Sequence, residues 1–278
     1  MNVTFTKEKI TDHLYRIRGI GDVAMYFVLG KDRGMLIDTG YGVGDLKGYI
    51  EDTFHMPYEV LITHGHVDHA SGCQQWNSVY MNPLDKELFF ERTQYTFRKL
   101  SLSKNYPDIQ DSDFIPMYTG TFKDLEDGMT FDLGDITLET YSAPGHTHGM
   151  MVVLIPEERI CLFGDACGVM TFIFRPECST VEQYLNTLSR LKSMEDRYDR
   201  ILRQHGTCES PKSLVDENIE VAKEILAGTD DHIPWKFQQY DVFIAKDTDF
   251  TKGIRKDGKS GNIVYSLDHI KQKGGPIC

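Results

Sequence analysis

The sequence predicts a mixed α/β fold in which two β-sheets pack face to face and helices cover their outer faces. Three observations support this prediction. The chain has 278 residues, 40% of them hydrophobic, which is enough for a large core. Each half of the chain places short strands joined by tight turns before a helix. In each half, polar clusters follow strands directly. We expect a single domain over residues 1–278.

The first half predicts an antiparallel meander, then a helix, then a further strand. The runs HLYRIRG, AMYFVLG and GMLIDTG are strand-like and are separated by the turn signals GD and KDRG. GDLKGYIEDTFHM is the candidate helix, and YEVLITH returns as an apolar strand. Strand, helix and strand in this order indicate mixed α/β layering.

The second half starts this order again, although no repeat is visible in the sequence itself. MTFDLGDITLETYSAPGHTHG and MMVVLIPEERICLFGDACG contain strands, and a helix and DRILRQHG follow them. The helix predicted over 180–194 carries an apolar stripe at helical spacing, and Ser179 with Glu182 has the spacing of a capping box. A further helix is expected within SLVDENIEVAKEILAG, closed by Gly228.

An aromatic-rich segment at about 83–122 lies between the halves and is longer than either sheet needs. Its aromatic residues include Phe89, Phe90, Tyr95, Phe97, Tyr106, Phe114 and Tyr118. We expect a partly helical insertion, and two interpretations stay open: a layer that buries its own aromatic residues, or a lid over a substrate. Residues from about 229 to 278 are expected to form a C-terminal extension.

The charge balance and the cysteines restrict the class of function. The chain has 30 basic and 42 acidic residues, so its net charge of −12 repels nucleic acid and anionic lipid, and we expect neither as a partner. We interpret the one basic stretch, KGIRKDGKSG, as a solvated turn. Six scattered cysteines predict reduced thiols. The start, MNVTFTKEKI, lacks the features of a secretory signal, so the expected location is cytoplasmic.

The stretch LITHGHVDHASG at 61–72 carries the strongest chemical signal. Histidines two apart on an extended backbone project to the same side, so His64 and His66 can bind one metal ion through imidazole nitrogen. Asp68 and His69 follow where the chain turns into a helix, and their different direction suits a second ion. Packing alone does not explain four ligand-type residues in six positions at the end of a strand.

Two metal shells need more ligands than this motif supplies, and the sequence offers three. His146 lies in SAPGHTHG, Asp165 in LFGDACG and His205 in RQHG. Each residue stands at the C-terminal end of an apolar run and beside a glycine, which allows the tight turns that strand ends at a site often need.

These motifs resemble those of the metallo-β-lactamase fold superfamily. HGHVDH at 64–69 matches its HxHxDH signature, and PGHTHG, FGDAC and RQHG follow in the order of its later ligands. LIDTG is similar to the strand that precedes its site. The resemblance covers roughly residues 13–227 and implies a four-layer αββα sandwich of two mixed β-sheets with helices outside.

The resemblance also implies seven ligands for two divalent ions. They are His64, His66 and His146 for the first ion, Asp68, His69 and His205 for the second, and Asp165 as the bridge. Two ions so placed can share a water and lower its pKa to about 7, so that a bridging hydroxide attacks the substrate. Zinc is the expected metal, and iron and manganese suit the same ligands. Asp68 is also the candidate catalytic residue, which orients the nucleophile or accepts its proton.

Three neighbours of these motifs have weaker signals. We expect Asp38 to hold the loops of the site through hydrogen bonds. His148 can be a residue that supports a ligand or a surface histidine. We interpret Cys167, two residues after Asp165, as a small buried side chain.

Within the superfamily, the sequence is nearest to the glyoxalase II-like dinuclear metallohydrolases, because it has the full ligand set and GHT at the third histidine. Met150 and Met151 stand where that group usually has a further histidine, and no basic cluster suits glutathione. True β-lactamases generally lack an aspartate at the place of Asp165, so β-lactam hydrolysis is disfavoured.

The expected function is hydrolysis of an ester, thioester or lactone of a small acyl substrate, because the insertion and GVMTFIF can line a partly apolar pocket. The alternative is a phosphodiesterase that acts on a small nucleotide or a phospholipid head group. A metal-dependent binding protein without turnover is the third hypothesis. A homo-oligomer stays open as the assembly.

Overall fold

The computed structural model of the chain describes residues 3–250 and 254–272. The strands, in chain order, are β1 Thr6–Lys9, β2 Leu14–Arg18, β3 Ala24–Leu29, β4 Gly34–Ile37, β5 Tyr58–Leu61, β6 Ser78–Met81, β7 Thr121–Asp124, β8 Thr130–Asp132, β9 Thr137–Ser142, β10 Met151–Ile155, β11 Ile160–Leu162, β12 Thr171–Ile173, β13 Arg200–Leu202, β14 Glu209–Ser210, β15 Ile233–Phe237, β16 Tyr240–Ile244, β17 Thr248–Asp249, β18 Ile254–Arg255 and β19 Ile263–Tyr265. The α-helices are α1 Leu46–Phe54, α2 Val67–Ala70, α3 Lys86–Arg92, α4 Tyr95–Ser103, α5 Val181–Ser193 and α6 Ser213–Ala227. Short 3₁₀ helices cover Cys73–Gln75, Pro83–Asp85, Asp111–Asp113, Glu195–Arg197 and Leu267–His269.

Two large mixed sheets form the centre of the molecule. The first has the order β1-β2-β3-β4-β5-β6-β7, in which the predicted antiparallel meander continues into parallel neighbours from β4 onward. The second has the order β14-β13-β11-β10-β9-β8 and contains one parallel pair, β11 with β13. Helix α1 lies outside the first sheet, and α5 and α6 lie outside the second, as the core clusters show. The predicted αββα order is confirmed.

Strand β10 illustrates why these residues form a sandwich. Met151, Val153 and Ile155 pack in the core between the two sheets, where they meet residues of β3 and β4. Val152 and Leu154 point to the opposite face and pack against α5 and α6. Because side chains alternate along a strand, a strand that is buried on both faces is apolar at every position.

Helix α5 carries the predicted apolar stripe, but its capping box lies one residue later than predicted. Thr180 Oγ1 accepts a hydrogen bond from the Gln183 backbone N–H at 3.2 Å, and Gln183 Oε1 accepts one from the Thr180 N–H at 3.1 Å. The predicted pair, Ser179 and Glu182, was wrong because the Ser179 N–H donates to the Gly145 carbonyl instead. Helix α6 ends as predicted, with Gly228 in the left-handed conformation.

The aromatic-rich segment contains α3 and α4 and two of the short 3₁₀ helices. Phe89, Phe114 and Tyr118 are buried, whereas Phe90 and Tyr95 are exposed. β7 then adds a parallel strand at the edge of the first sheet, where it pairs with β6. The segment therefore packs part of its aromatic side chains and leaves others at the surface.

Strands from residues after 229 join β12 in a third sheet of order β12-β19-β16-β15. β12 follows Asp165 in the chain, and its parallel pairing with β19 joins the C-terminal part of the chain to the segment after that aspartate. This sheet therefore lies beside the candidate site.

The described cysteines, Cys73, Cys161, Cys167, Cys178 and Cys208, are free and buried, and Cys278 lies outside the described residues. The basic stretch KGIRKDGKSG lies partly outside them too; in the part that is described, Lys256 pairs with Asp247 and Lys259 with Glu220. No helix within residues 3–250 and 254–272 combines the length and apolar character that crossing a membrane requires.

Candidate metal centre

All seven predicted ligands meet at one edge of the sandwich. The strands that precede them are β5 for His64 and His66, β9 for His146, β11 for Asp165 and β13 for His205, while α2 carries Asp68 and His69. The C-terminal ends of these strands point to the same edge, one from the first sheet and three from the second. The site therefore lies between the two sheets.

The first group of ligand atoms consists of three imidazole nitrogens. Nδ1 of His66 lies 3.1 Å from Nε2 of His64 and 3.0 Å from Nε2 of His146. Ligands that surround a tetrahedral zinc ion at ordinary bond lengths lie roughly 3.3 Å apart. The three nitrogens are therefore spaced to hold one cation.

The second group combines two imidazoles with a carboxylate. Nε2 of His205 lies 3.3 Å from Nε2 of His69 and 3.2 Å from Oδ2 of Asp68. The same Asp68 oxygen lies 3.6 Å from His69. This set also fits a divalent cation, since it supplies neutral nitrogens and an anionic oxygen.

Asp165 stands between the two groups. Its Oδ2 atom lies 3.5 Å from Nε2 of His146, 3.6 Å from Nε2 of His69 and 3.5 Å from Nε2 of His205. One carboxylate oxygen is thus within reach of ligand atoms from both groups, which is the position that a bridge requires.

Asp38 supports the second group through hydrogen bonds to His69 and to neighbouring residues. Its carboxylate accepts a hydrogen bond from Nδ1 of His69 at 2.8 Å, from the Thr63 backbone N–H at 2.8 Å and from Nε2 of Gln204 at 3.1 Å. Asp38 is fully buried and has a left-handed backbone, with φ of 65°. The expected role of Asp38 in holding the loops is thus present in the structure.

Each of the other four candidate imidazole ligands also has a partner on the nitrogen that faces away from the site. These contacts are His66 Nε2 with Glu177 Oε1 at 3.1 Å, His146 Nδ1 with the Phe172 carbonyl at 3.0 Å, His64 Nδ1 with Thr63 Oγ1 at 3.1 Å, and His205 Nδ1 with the Asp22 carbonyl. Such partners fix the orientation and the tautomer of a ligating imidazole.

Asp85 ties the two histidine loops together. Its carboxylate accepts hydrogen bonds from the Gly65 N–H at 2.9 Å, the Gly149 N–H at 2.7 Å and the Thr147 hydroxyl at 2.7 Å. A Cβ atom on Gly65 would lie only 2.8 Å from the Asp85 carbonyl oxygen, so this approach requires glycine. Asp85 therefore sets the distance between the loops that carry His64 and His146.

The electrostatics of the two groups differ. Burial and, after it, the neighbouring His66 lower the pKa of His146 to about 4. Burial also opposes the charged form of His205, but the carboxylates of Asp165 and Asp68 outweigh it and raise the pKa to about 12. For His69, the carboxylates of Asp68 and Asp165 likewise outweigh burial and raise the pKa to about 10. The second group therefore favours bound cations. In the metal-free protein these cations are protons on the two imidazoles.

Two of the weaker sequence candidates lie outside the ligand set. Cys167 is buried in the core beside α6, and burial raises the pKa of its thiol to about 12. His148 is exposed and contacts Ser179 Oγ at 3.4 Å. Cys167 therefore packs as a small buried side chain, as interpreted, and His148 is a surface residue.

A cleft with a volume of ≈ 590 Å³ opens over the ligand cluster. Its apolar lining comes from three parts of the chain, and these residues are Phe97 and Leu100 of α4, Val169, Met170 and Phe172 around β12, and Tyr240 of β16. Three arginines also reach the cleft, namely Arg92, Arg175 and Arg203. The cleft thus combines an apolar wall with positive charge.

Residues 18–205 match the family model of the metallo-beta-lactamase superfamily. The chain belongs to this superfamily. The matched range ends at His205 and contains all seven candidate ligands. Membership implies that the cluster binds divalent metal. The nearer relationship to glyoxalase II-like enzymes stays a prediction.

Several curated relatives are named as thioesterases or hydrolases. The acyl-coenzyme A thioesterase MBLAC2 of Homo sapiens is 24% identical over 200 residues, which are 65% of this chain and 72% of the human protein. The atrochrysone carboxyl ACP thioesterase of Aspergillus fumigatus is 27% identical over 144 residues, or 50% of this chain and 28% of that protein. BaeB of Bacillus velezensis, named as a zinc-dependent hydrolase of polyketide biosynthesis, is 23% identical over 167 residues, or 58% of this chain and 63% of that protein. The chain is accordingly a metal-dependent hydrolase.

Solved structures share the fold at low identity. A metallo-beta-lactamase from Pontibacter korlensis aligns with a TM-score of 0.57 and 18% identity, and the alignment covers 79% of this chain and 99% of that chain. The sec-alkyl sulfatase PisA1 aligns with a TM-score of 0.61 and 14% identity over 79% of this chain and 42% of that chain. At these identities the likeness concerns the fold alone.

Sequence reasoning missed four residues around the site, namely Asp85, Arg92, Arg175 and Glu177. Asp85 follows Asn82 and Pro83, a pattern typical of a helix start, so nothing marked it as a partner of the histidine loops. Glu177 lies 111 positions after His66, the ligand that it contacts. The one available signal for Arg175 was its place directly after the apolar run GVMTFIF.

Proposed function

We propose that this protein hydrolyses acyl thioesters at a centre of two divalent ions, with zinc as the expected metal. The observation that carries the proposal is the position of Asp165, whose Oδ2 atom is 3.5 Å from His146 in one ligand group and 3.5 Å from His205 in the other. A carboxylate placed in this way can bridge two ions.

The apolar wall of the cleft supports an acyl substrate. The lining side chains of Phe97, Leu100, Met170 and Phe172 can bury a hydrocarbon chain, whose transfer from water is favourable by about 0.8 kcal/mol per CH₂ group. The thioesterase names of the relatives support a thioester rather than a phosphodiester. We therefore place the acyl chain along this wall and the thioester carbonyl at the ligand cluster.

The residues of the chain itself prepare the site for reaction. Divalent ions held by the cluster would supply Lewis-acid chemistry and lower the pKa of water to about 7. Asp38 and Glu177 hold His69 and His66 in fixed orientations, so the ligating nitrogens need not reorganise during the reaction. The apolar wall excludes bulk water from one side of the substrate.

Asp68 has two roles in this proposal. Its Oδ2 atom lies beside His205 and His69 and serves as a ligand. The pKa of Asp68 is lowered despite burial, because His69 and His205 stabilise the carboxylate, so Asp68 is ionised at neutral pH. An ionised carboxylate at this place can orient the attacking water and accept its proton.

Tyr41 also lines the cleft and contributes a hydroxyl group. Burial and then the nearby carboxylates of Asp68, Asp22 and Asp165 raise the pKa of its hydroxyl. Tyr41 therefore stays protonated at neutral pH and can donate a hydrogen bond to the substrate.

Hydrolysis of a panel of substrates tests the proposed function. We expect zinc-loaded protein to release free thiol from acyl-coenzyme A and acyl-N-acetylcysteamine, and to leave a bis-aryl phosphate essentially unchanged. Turnover of the phosphodiester without turnover of the thioesters would support the phosphodiesterase alternative. Retained metal without turnover of any substrate would support the non-catalytic hypothesis.

Two histidines that are two positions apart form a matched pair of variants for this experiment. His146→Ala removes a proposed ligand and should reduce kcat by roughly 10³-fold or more, as expected when a catalytic metal is lost. His148→Ala changes an exposed side chain and should leave kcat within about twofold. Equal activity of the two variants would contradict the proposed site.

A further inference from the structure

Arg175 is a largely buried cation for which residues 3–250 and 254–272 provide no carboxylate at hydrogen-bond distance. Its side chain is 20% exposed and lines the cleft. Its nearest carboxylate oxygen, on Glu177, is 3.9 Å away, and no hydrogen bond from the guanidinium to any described residue is present. The rings of Phe174 and Phe237 lie 5.8 Å from the guanidinium carbon and hold it in place.

The other two arginines of the cleft have hydrogen-bond partners within the protein. Arg203 donates to Ser210 Oγ at 2.9 Å and to Thr207 Oγ1 at 3.1 Å, so its donors are largely used within the protein. Arg92 donates to Glu177 Oε2 at 3.0 Å. Its Nη2 atom also lies 3.7 Å from Oε1 of Glu91. Arg175 is thus the arginine whose donors the described residues leave unused, and Arg92 and Arg175 together form the positive end of the cleft.

This positive end lies next to the ligand cluster. Glu177 accepts a hydrogen bond from His66 at 3.1 Å, so the Glu177 carboxylate and one imidazole ring separate the arginine pair from Nδ1 of His66. An anion bound here would sit a few bonds away from the scissile carbonyl.

This short distance decides which part of a thioester can supply the anion. The phosphates of coenzyme A are separated from the thioester sulfur by the whole pantetheine arm, whereas a carboxylate on a short acyl chain is only a few bonds from the carbonyl. We propose that Arg175, with Arg92, forms an anion subsite that binds the distal carboxylate of a dicarboxylic acid monothioester. This inference rests on the proposed thioesterase function and names the substrate class of the same site.

The test compares four substrates and three variants. The substrates are the glutaryl and pentanoyl thioesters of coenzyme A and of N-acetylcysteamine, so the acyl carboxylate and the coenzyme phosphates vary independently. Arg175→Gln removes the charge, and Arg190→Gln, which changes an arginine that pairs with Asp127, is the matched control. Arg175→Lys keeps the charge and tests whether the geometry of the guanidinium matters.

We expect the wild-type protein to prefer glutaryl over pentanoyl thioesters with both thiols. Arg175→Gln should lower kcat/KM for glutaryl substrates about 10- to 100-fold, the range for loss of a charge-assisted hydrogen bond, and should leave pentanoyl substrates within about threefold. Equal losses for both acyl groups would overturn the inference. A loss with both coenzyme A thioesters and with neither N-acetylcysteamine thioester would also overturn it, because the phosphates would then be the bound anion.

A binding experiment separates failure of the subsite from failure of the proposed function. Calorimetry with free glutarate and pentanoate on zinc-loaded protein needs no turnover. Glutarate should bind the wild-type protein at least about tenfold more tightly than Arg175→Gln, and pentanoate should bind both equally. If no thioester is hydrolysed but this difference is present, the subsite stands and the thioesterase proposal fails. Equal glutarate affinities in folded protein would overturn the subsite.

Discussion

Asp38 is the residue whose environment best explains how the site keeps its shape. It follows β4, adopts φ of 65° and is completely buried. A non-glycine residue in this conformation is strained by roughly 1–3 kcal/mol, and such strain persists only where surrounding contacts determine it. Here the contacts are those with Thr63, His69 and Gln204, which come from both sheets of the sandwich.

Replacement of Asp38 should therefore weaken metal binding without removal of a ligand. We expect Asp38→Asn to lower metal affinity about 10- to 100-fold, the usual effect of loss of a partner behind a ligating imidazole. Competition with a fluorescent chelator measures this affinity. Asp12→Asn, which changes an exposed carboxylate paired with Lys9, is the control. Unchanged affinity in Asp38→Asn would show that His69 needs no such partner.

The pKa values of His69 and His205 predict how metal binding depends on pH. They are raised from 6.5 to about 10 and about 12 in the metal-free protein. Stability that comes from these bound protons is complete below pH 6.5 and is lost as pH rises through the raised values. A metal ion must displace the same protons, so its affinity should increase between pH 6 and 9. Calorimetry in buffers of different ionisation enthalpy should detect proton release, and a pH-independent affinity would contradict this.

At the scale of single residues, the sequence predicts the candidate ligands better than the residues that hold those ligands in place. The seven candidates lie in short local motifs after apolar runs, and strand ends bring such motifs together. The residues behind them, such as Asp85 and Glu177, act on loops 62 and 111 positions away. No local pattern encodes such distant contacts, so sequence reasoning could not find them.

Part of the apolar wall of the cleft comes from elements that lie outside the two large sheets. Helix α4, from the aromatic-rich segment, supplies Phe97 and Leu100, and β16, from the C-terminal part, supplies Tyr240. Phe89 of the segment packs in the core, whereas Phe97 lines the cleft. That the segment covers a substrate stays a prediction.

Loss of an α4 side chain from this wall should weaken the binding of an unsubstituted acyl chain more as the chain becomes longer. We expect Phe97→Ala to lower kcat/KM for a dodecanoyl thioester about tenfold and for an acetyl thioester less than threefold, because fewer CH₂ groups are buried. Rates over a series of chain lengths measure the effect. Leu84→Ala, which changes a residue of the same segment that is exposed outside the cleft, is the control. A loss that does not depend on chain length would contradict the proposed acyl wall.

Prediction of elements from sequence succeeded where local patterns were strong. The meander, β5, β10, α5 and α6 all follow from periodicity and turn residues. The capping box at Thr180 could not be placed, because the competing contact of Ser179 with Gly145 is 34 positions away. The third sheet was missed for a similar reason, since β12 pairs with β19 about ninety residues later and the pairing depends on tertiary packing.

At the scale of the whole molecule, the candidate centre joins the two sheets. His64 and His66 follow the first sheet, whereas His146, Asp165 and His205 follow the second. Ions bound between them would hold the two halves together and would offset the carboxylates that cluster there. Metal binding to the native state therefore adds directly to the free energy of unfolding.

Removal of metal should lower the thermal stability of the whole chain. At metal concentrations about 100-fold above Kd, the expected contribution is about 2.7 kcal/mol, which corresponds to a change in Tm of roughly 5–10 °C for a domain of this size. Differential scanning calorimetry before and after chelation measures the change. The chelated form of His146→Ala provides the baseline. An identical Tm for metal-loaded and chelated wild-type protein would contradict the proposal that bound metal holds the two sheets together.

The central claim is that two ions at this cluster enable thioester hydrolysis. The most direct test is a titration of zinc into chelated protein, with bound zinc per chain and release of thiol from an acyl thioester measured on the same samples. Turnover should be absent without metal, increase with occupancy and saturate near two ions per chain. Turnover that persists in fully stripped protein, or that is already complete at one ion per chain, would contradict the claim.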